Sequence, residues 1–341
     1  MNVLLFSAIL LLTFALTAII LRFLIPVLKS HKMGQKILDI GPRWHKSKEG
    51  TPTMGGVSFV LASLVVFPAF FIPLAVTGKI NNPTALFLTF GMALLNGMIG
   101  CIDDYTKFIK KQNEGLLAWQ KYLLQFAVSS AYLAAMRVWG GLSTMLFIPY
   151  LNKTVDFGFA YYIVAILLLT GITNSVNLAD GIDGLASSET VIVGAFFAVA
   201  GKVGVYPLVS GKAISFYSAM LIGCALGFLV YNFHPAKVFM GDTGSLFLGG
   251  TVAGLAFLLN NPLIVLIAGF IYVVESISVM LQVFWCKVFG HRLFKMSPIH
   301  HHFEKCGWGE IRIVTVFCAV ALLFCVLAYF GLRTDFILTS F

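Results

Sequence analysis

The chain has 341 residues, of which 59% are hydrophobic and only 11% charged, with a formal net charge of +9. That charged share is about half of what a soluble domain carries, so soluble globular, disordered, fibrous and disulfide-rich secreted classes are excluded. The apolar stretches are continuous rather than alternating, which also excludes an outer-membrane barrel. The reading is an all-α polytopic membrane protein. Its six cysteines form no CxxC pair and sit mostly inside apolar runs, so neither a disulfide framework nor a structural zinc site follows.

A membrane helix needs roughly 20 apolar residues. In chain order the expected spans are about 3–28, 53–77, 84–102, 117–139, 157–177, 185–200, 213–231, 245–259, 263–284 and 313–332. The first is too long, and lacks the basic start, for a cleaved signal peptide. No internal repeat or low-complexity linker divides the chain, so 1–341 reads as one membrane domain. Residues 143–157 place two short apolar runs around Asn152-Lys153, which is a hairpin pattern.

Of the 23 Lys and Arg, 15 lie in the odd-numbered connections, and five in the even ones and the C-terminal tail. The positive-inside rule makes the odd connections cytoplasmic and both termini periplasmic. All seven His and ten of the 14 acids share the odd connections. A transporter more often places polar groups near the bilayer midplane, where this chain has little beyond Glu189 and Glu275. The asymmetry favours an enzyme with a catalytic cleft on the cytoplasmic face, over a cation-coupled transporter. The positive charge reads as loop orientation, not nucleic-acid binding.

Five polar constellations interrupt the apolar pattern. Asp103-Asp104-Tyr105-Thr106-Lys107 ends the third span. Adjacent carboxylates repel, which suits a magnesium ion, a general base or both; the plainer reading is a solvated helix end with an Asp–Lys pair. Asn177-Leu178-Ala179-Asp180-Gly181-Ile182-Asp183-Gly184 breaks an apolar run, and two Asp there call for an interface or a wet cleft. Asn232 to Ser245 contains Phe239, which offers either a stacking face for a base or an apolar anchor. It also contains Asp242 and Thr243, which read as helix N-caps or, for Asp242, a metal ligand. Pro298-Ile299-His300-His301-His302-Phe303-Glu304 places three His about 100° apart if helical, an arrangement fit for phosphate contacts or acid–base work rather than one shared ion. Lys46-Ser47-Lys48-Glu49-Gly50-Thr51-Pro52-Thr53-Met54-Gly55-Gly56 enters the second span and brings a lysine or threonine to a phosphate. Glu275 is an intramembrane acid with no assigned partner, and Gln282 a polar contact near the cytoplasmic face.

Together these motifs resemble the polyprenyl-phosphate N-acetylhexosamine-1-phosphate transferase superfamily, over essentially the whole chain. The triple-His signature points to its bacterial peptidoglycan branch rather than to the N-acetylglucosamine relatives. Ala179 stands where Thr is frequent. The resemblance implies ten helices, a homodimer in the bacterial inner membrane, a bent ninth helix and a requirement for Mg2+. It implies transfer of phospho-N-acetylmuramoyl-pentapeptide from its UDP conjugate to undecaprenyl phosphate, giving lipid I and UMP. It also implies site roles. Asp242 holds the metal, Asp103 activates or positions the lipid phosphate with Asp104 assisting, and Lys121 lies near the phosphates. Lys48, Thr53, Asn177, Asp180, Asp183, Asn232, Phe239 and Gln282 fall in substrate-binding regions, and His300, His301 and His302 in the catalytic set. A sister enzyme moving N-acetylglucosamine-1-phosphate to the same lipid is the nearest alternative.

Overall fold

A computed structural model of the chain describes residues 3–31, 48, 50–110, 114–203 and 207–332. Lys46, Ser47 and Glu49 of the basic motif lie outside the described residues. The helices of 18 residues or more are α1 (Val3–Ser30), α2 (Val57–Val76), α3 (Pro83–Lys110), α4 (Ala118–Val138), α5 (Ala160–Ala179), α6 (Leu185–Val203), α7 (Gly211–Asn232), α8 (Gly241–Leu258), α10 (Phe270–Phe289) and α12 (Glu310–Phe330). Two shorter helices, α9 (Val265–Ala268) and α11 (Ile299–Lys305), complete the set. Eight of the long helices are long and apolar enough to cross a membrane; α4 and α8 are not among them. The protein is an all-α, multi-pass membrane protein.

α7 and α8 are the centre. α7 is apolar on every side and almost fully buried, the pattern of a helix with no polar face to present. α8 is buried from Thr243 to Leu258. It packs most extensively on α3, then on α5. Its glycines let backbones approach closely, as membrane helices without a hydrophobic drive require. A Cβ at Gly249 would strike the Thr173 backbone of α5, and one at Gly254 would strike Thr89 of α3. α3 reciprocates at Gly100, where a Cβ would overlap the Asp242 carbonyl.

Three departures from the expected spans have local causes. The second span begins at Val57, not 53, because the Gly55 and Gly56 amides donate to the Phe239 and Met240 carbonyls and hold 52–56 out of the helix. The third runs on to Lys110, which carries Asp103 and Asp104 into the helix. The ninth is broken: a 3-10 turn (Pro262–Ile264) and α9 end at Gly269, and α10 starts anew. The hairpin forms as β1 (Met145–Ile148) and β2 (Lys153–Asp156), antiparallel, with Leu146 opposite Val155.

Gly100→Ala is expected to force α3 and α8 apart, lowering Tm and abolishing activity, since overpacking costs about 1–3 kcal/mol. Gly91→Ala on the same helix, where a Cβ meets nothing within 4 Å, is the control and leaves both unchanged in thermal-unfolding and turnover measurements.

Candidate active site

The C-terminal end of α3 meets the N-terminal end of α8. The Asp104 carboxylate accepts from the Asp242 amide (3.1 Å), the Thr243 amide (2.9 Å) and the Thr243 hydroxyl (2.7 Å). The sequence reads Asp242 and Thr243 as caps of their own helix; the cap instead comes from α3, and Met240 at the N-cap position makes no side-chain bond. The reason is geometric. The glycine at 100 lets α3 approach closely enough for Asp104 to reach the free amides.

With its amides bonded to Asp104, α8 presents the Asp242 side chain to solvent at 16% exposure. Lys121 Nζ donates to Asp242 Oδ2 at 2.6 Å and Lys107 Nζ at 3.1 Å, while Asn177 Nδ2 donates to Oδ1 at 2.9 Å. Lys107 also pairs with Asp103 Oδ2 at 2.6 Å, and the Leu116 amide donates to Asp103 Oδ1 at 2.8 Å. Carboxylate oxygens of Asp103, Asp104 and Asp242 lie within 4.8 Å of one another. These groups border a cavity of about 600 Å³ whose wall includes Asp103, Lys107, Lys121, Gln125, Asn174 and Asp242.

Asp180 caps α5 and makes no ion pair among the described residues. Desolvation first, then the Asp242, Asp104 and Asp183 carboxylates, pushes its carboxyl well above the usual carboxylate range. Four acids thus share this region with two lysines. Oxygen donors with a surplus of negative charge suit a hard divalent cation.

A second cluster adjoins the first through the 180–184 turn. Lys48 Nζ pairs with Asp183 Oδ1 at 2.7 Å and Glu310 Oε1 at 2.6 Å. Asp183 Oδ2 also takes His234 Nδ1 at 3.0 Å and the Ala236 amide at 2.9 Å. Asn232 is committed to the backbone, accepting from the Gly184 amide and donating to the Val238 carbonyl. Thr53 sits beside Gly241, and Phe239 is half-buried, its amide and carbonyl bonded to the 52–55 segment.

The three histidines face three different partners. His300 is fully buried, its Nδ1 3.1 Å from Glu275 Oε1, within ion-pair distance but without hydrogen-bond geometry. His301 Nδ1 lies 2.5 Å from Glu304. His302 Nδ1 accepts from the Lys295 amide. Gln282 bonds both the amide and the carbonyl of Phe294, so it braces the 290s loop. The structure therefore gathers Asp103, Asp104, Asp242, Lys121 and Asn177 directly, and Lys48 with Asp183 next to them. Sequence reasoning missed Glu310, His234 and Lys107 as members. Lys107 had a signal, its i+4 spacing from Asp103. Glu310 had none, lying 127 residues from the Asp183 amide it accepts from.

Acids and lysines gathered at one end of a bundle of apolar, membrane-length helices are groups suited to a divalent cation and to phosphates. Residues 86–260 match the model of glycosyl transferase family 4, and residues 48–60 match signature 1 of the phospho-N-acetylmuramoyl-pentapeptide-transferases. Proteins of that name from Clostridium botulinum (strain Alaska E43 / Type E3) and Acetivibrio thermocellus are 42% and 43% identical, each over 95% of this chain and 95% and 94% of their own length. One from Staphylococcus aureus is 42% identical over 92% of this chain and 95% of its own. The chain belongs to the phospho-N-acetylmuramoyl-pentapeptide-transferase family and is a transferase.

Gly181 packs against the His300 ring so closely that a Cβ there would overlap Nε2. Gly181→Ala is expected to displace the 180–184 turn and lower kcat/KM at least tenfold. Pairing it with His300→Ala, which makes room, recovers part of the loss; steady-state kinetics on the two single variants and the double variant check this.

Proposed function

We propose that the protein transfers phospho-N-acetylmuramoyl-pentapeptide from its UDP conjugate to undecaprenyl phosphate, giving lipid I and UMP for peptidoglycan synthesis. It works as a Mg2+-dependent homodimer in the bacterial inner membrane, with both termini periplasmic and the cleft cytoplasmic. The observation that carries the reading is the Asp103–Asp104–Asp242 cluster with Lys107 and Lys121 beside a cavity at the end of α3. The signature match at 48–60 and the near-full-length relatives support the choice of substrate over the N-acetylglucosamine alternative.

Both substrates are anions, one water-soluble and one anchored by an isoprenoid tail, so their phosphates meet only at the interface. Asp242 holds the ion, with Asp103 within reach. A bound Mg2+ would offset phosphate charge and help the leaving UMP depart. Lys121 and Lys107 draw the phosphates in and oppose their mutual repulsion. A phosphate monoester is already largely ionised at pH 7 (second pKa about 6), so Asp103 has little proton to remove. Its role is to hold the lipid phosphate in line with the sugar-linked phosphorus. The lipid phosphate oxygen forms the new P–O bond as the bond to the UMP oxygen breaks. Asp104 keeps α8 and Asp242 in place. Lys48, Thr53, Asn177, Asp180, Asp183, Asn232, Phe239 and Gln282 shape and line the nucleotide and sugar region. His301 and His302 border it, and His300 acts through the turn it supports.

Purified protein with undecaprenyl phosphate and Mg2+ is expected to release UMP from UDP-N-acetylmuramoyl-pentapeptide and not from UDP-N-acetylglucosamine. EDTA or omission of the lipid should abolish release. Release only from UDP-N-acetylglucosamine would overturn the substrate assignment. Asp242→Asn should lose at least a hundredfold in rate and require more Mg2+; a Mg2+ titration of wild-type character would refute Asp242 as its ligand. Asp103→Asn should lower kcat with little change in KM for either substrate, and a phospho-sugar trapped covalently on Asp103 would overturn direct attack.

A further inference from the structure

Five cationic side chains lie in the even-numbered connections and the C-terminal tail: Lys79, Lys153, Lys202, Lys212 and Arg333. Three of them, Lys79, Lys202 and Lys212, converge on one pocket of about 430 Å³. It lies where α2 and α6 end and α7 begins. The Asp103–Asp242 cluster sits at the opposite ends of these helices, about 30 Å away by the length of α2. The pocket is therefore separate from the catalytic cleft.

Two of the lysines have a local explanation. Lys79 follows the end of α2 and Lys202 occupies the last turn of α6, where the negative end of a helix dipole favours a cation. Lys212 has the opposite placement. It stands in the first turn of α7, at the positive end of that dipole, and adds charge where the helix already repels it. No acidic side chain among the described residues lines the pocket to offset these charges.

Two further features of the pocket suit an anion. Ser210, in the N-cap position of α7, makes no capping bond, and its hydroxyl is buried without a partner while its residue lines the pocket. The floor is backbone: Gly201 and Gly211 touch where α6 crosses α7, and a Cβ on Gly211 would overlap the Gly201 carbonyl. The Ser210 amide donates to the Asn81 side chain, which ties the 2–3 connection to the start of α7. Lysines from three segments, a free hydroxyl and a helix N-terminus around a glycine floor are the elements of a phosphate cradle.

We propose that this pocket binds a phosphate group on the face opposite the catalytic cleft, supplied by a phospholipid headgroup or by free phosphate. Lys79, Lys202 and Lys212 clamp the phosphate oxygens, and the Ser210 hydroxyl donates to one of them. A bound phosphate would lock the ends of α2, α6 and α7 together, so its effect is on stability and not on chemistry.

The full chain, stripped of lipid in an uncharged, phosphate-free detergent, is heated with short-chain phosphatidylglycerol, with inorganic phosphate, or with sodium chloride at matched ionic strength. The phosphorus-containing ligand is expected to raise Tm and chloride not to. A rise with phosphatidylglycerol alone identifies a headgroup; an equal rise with inorganic phosphate identifies free phosphate. Lys79→Gln/Lys202→Gln/Lys212→Gln should weaken the apparent affinity roughly a hundredfold, and Lys212→Gln alone roughly fivefold. UMP release by these variants should match wild type, which shows that they are folded. No Tm rise with either ligand, or a rise of equal midpoint in the variants, overturns the proposal. Should the triple variant not fold, an unchanged midpoint for Lys212→Gln alone does the same.

Discussion

The cap that Asp104 places on α8 is the interaction on which the rest of the site depends. A buried helix start leaves amides that need partners, and α8 is buried from its first turn. Its own residues do not supply the acceptor. Asp104 does so from another helix, with three hydrogen bonds at 2.7–3.1 Å. That commitment separates two adjacent, chemically identical carboxylates. Asp104 is held by backbone and hydroxyl donors. Asp103, one residue earlier, turns toward Lys107, the Leu116 amide and the cavity. The close approach at Gly100 is what makes the separation possible, so a packing residue decides an electrostatic outcome.

Electrostatics then sets what the cavity can accept. Two lysines bind one carboxylate oxygen of Asp242, and Asp180 lies close enough to feel Asp242 and Asp104 without an ion-pair partner among the described residues. Charges in such a half-buried setting interact far more strongly than in water. Such a surplus of carboxylate oxygens suits a hard divalent cation. Asp103, Asp104 and Asp242 would hold a divalent ion, whose charge would offset the acids that the lysines now pair with. Lys107 pairs with both Asp103 and Asp242, and Lys121 with Asp242, which limits the repulsion among the acids.

Much of this was legible in the sequence, for identifiable reasons. Continuous apolar runs located every long helix, because a membrane span has a fixed length. Clustered acids, histidines and glycines marked one face, because polar groups interrupt apolar runs only at cost. Helix ends were less legible. Thr53–Gly56 looked helical until its amides found the 239–240 carbonyls, a contact between segments far apart in the chain. Glu310 was invisible for the same reason: a lone acid at a helix start has an ordinary local explanation, and only the fold brings it to Lys48. Lys107 was read as a local partner of Asp103, which it is, but its bond to Asp242 is a tertiary fact.

The histidine triplet shows why a motif and a site differ. Three consecutive side chains on a short helix must diverge, and in α11 they do. One is sealed in the bundle against Glu275, one pairs with Glu304, and one receives an amide from the 290s loop. His300 couples α10 and α11 to Gly181, and Gly181 sits between Asp180 and Asp183, which face the acid cluster on one side and Lys48 on the other. The fully buried Glu275 carboxylate lies 3.1 Å from the His300 ring. The break at Gly269 separates α10, which carries Glu275, from α9, so the ring contact falls on a helix that starts anew within the apolar run.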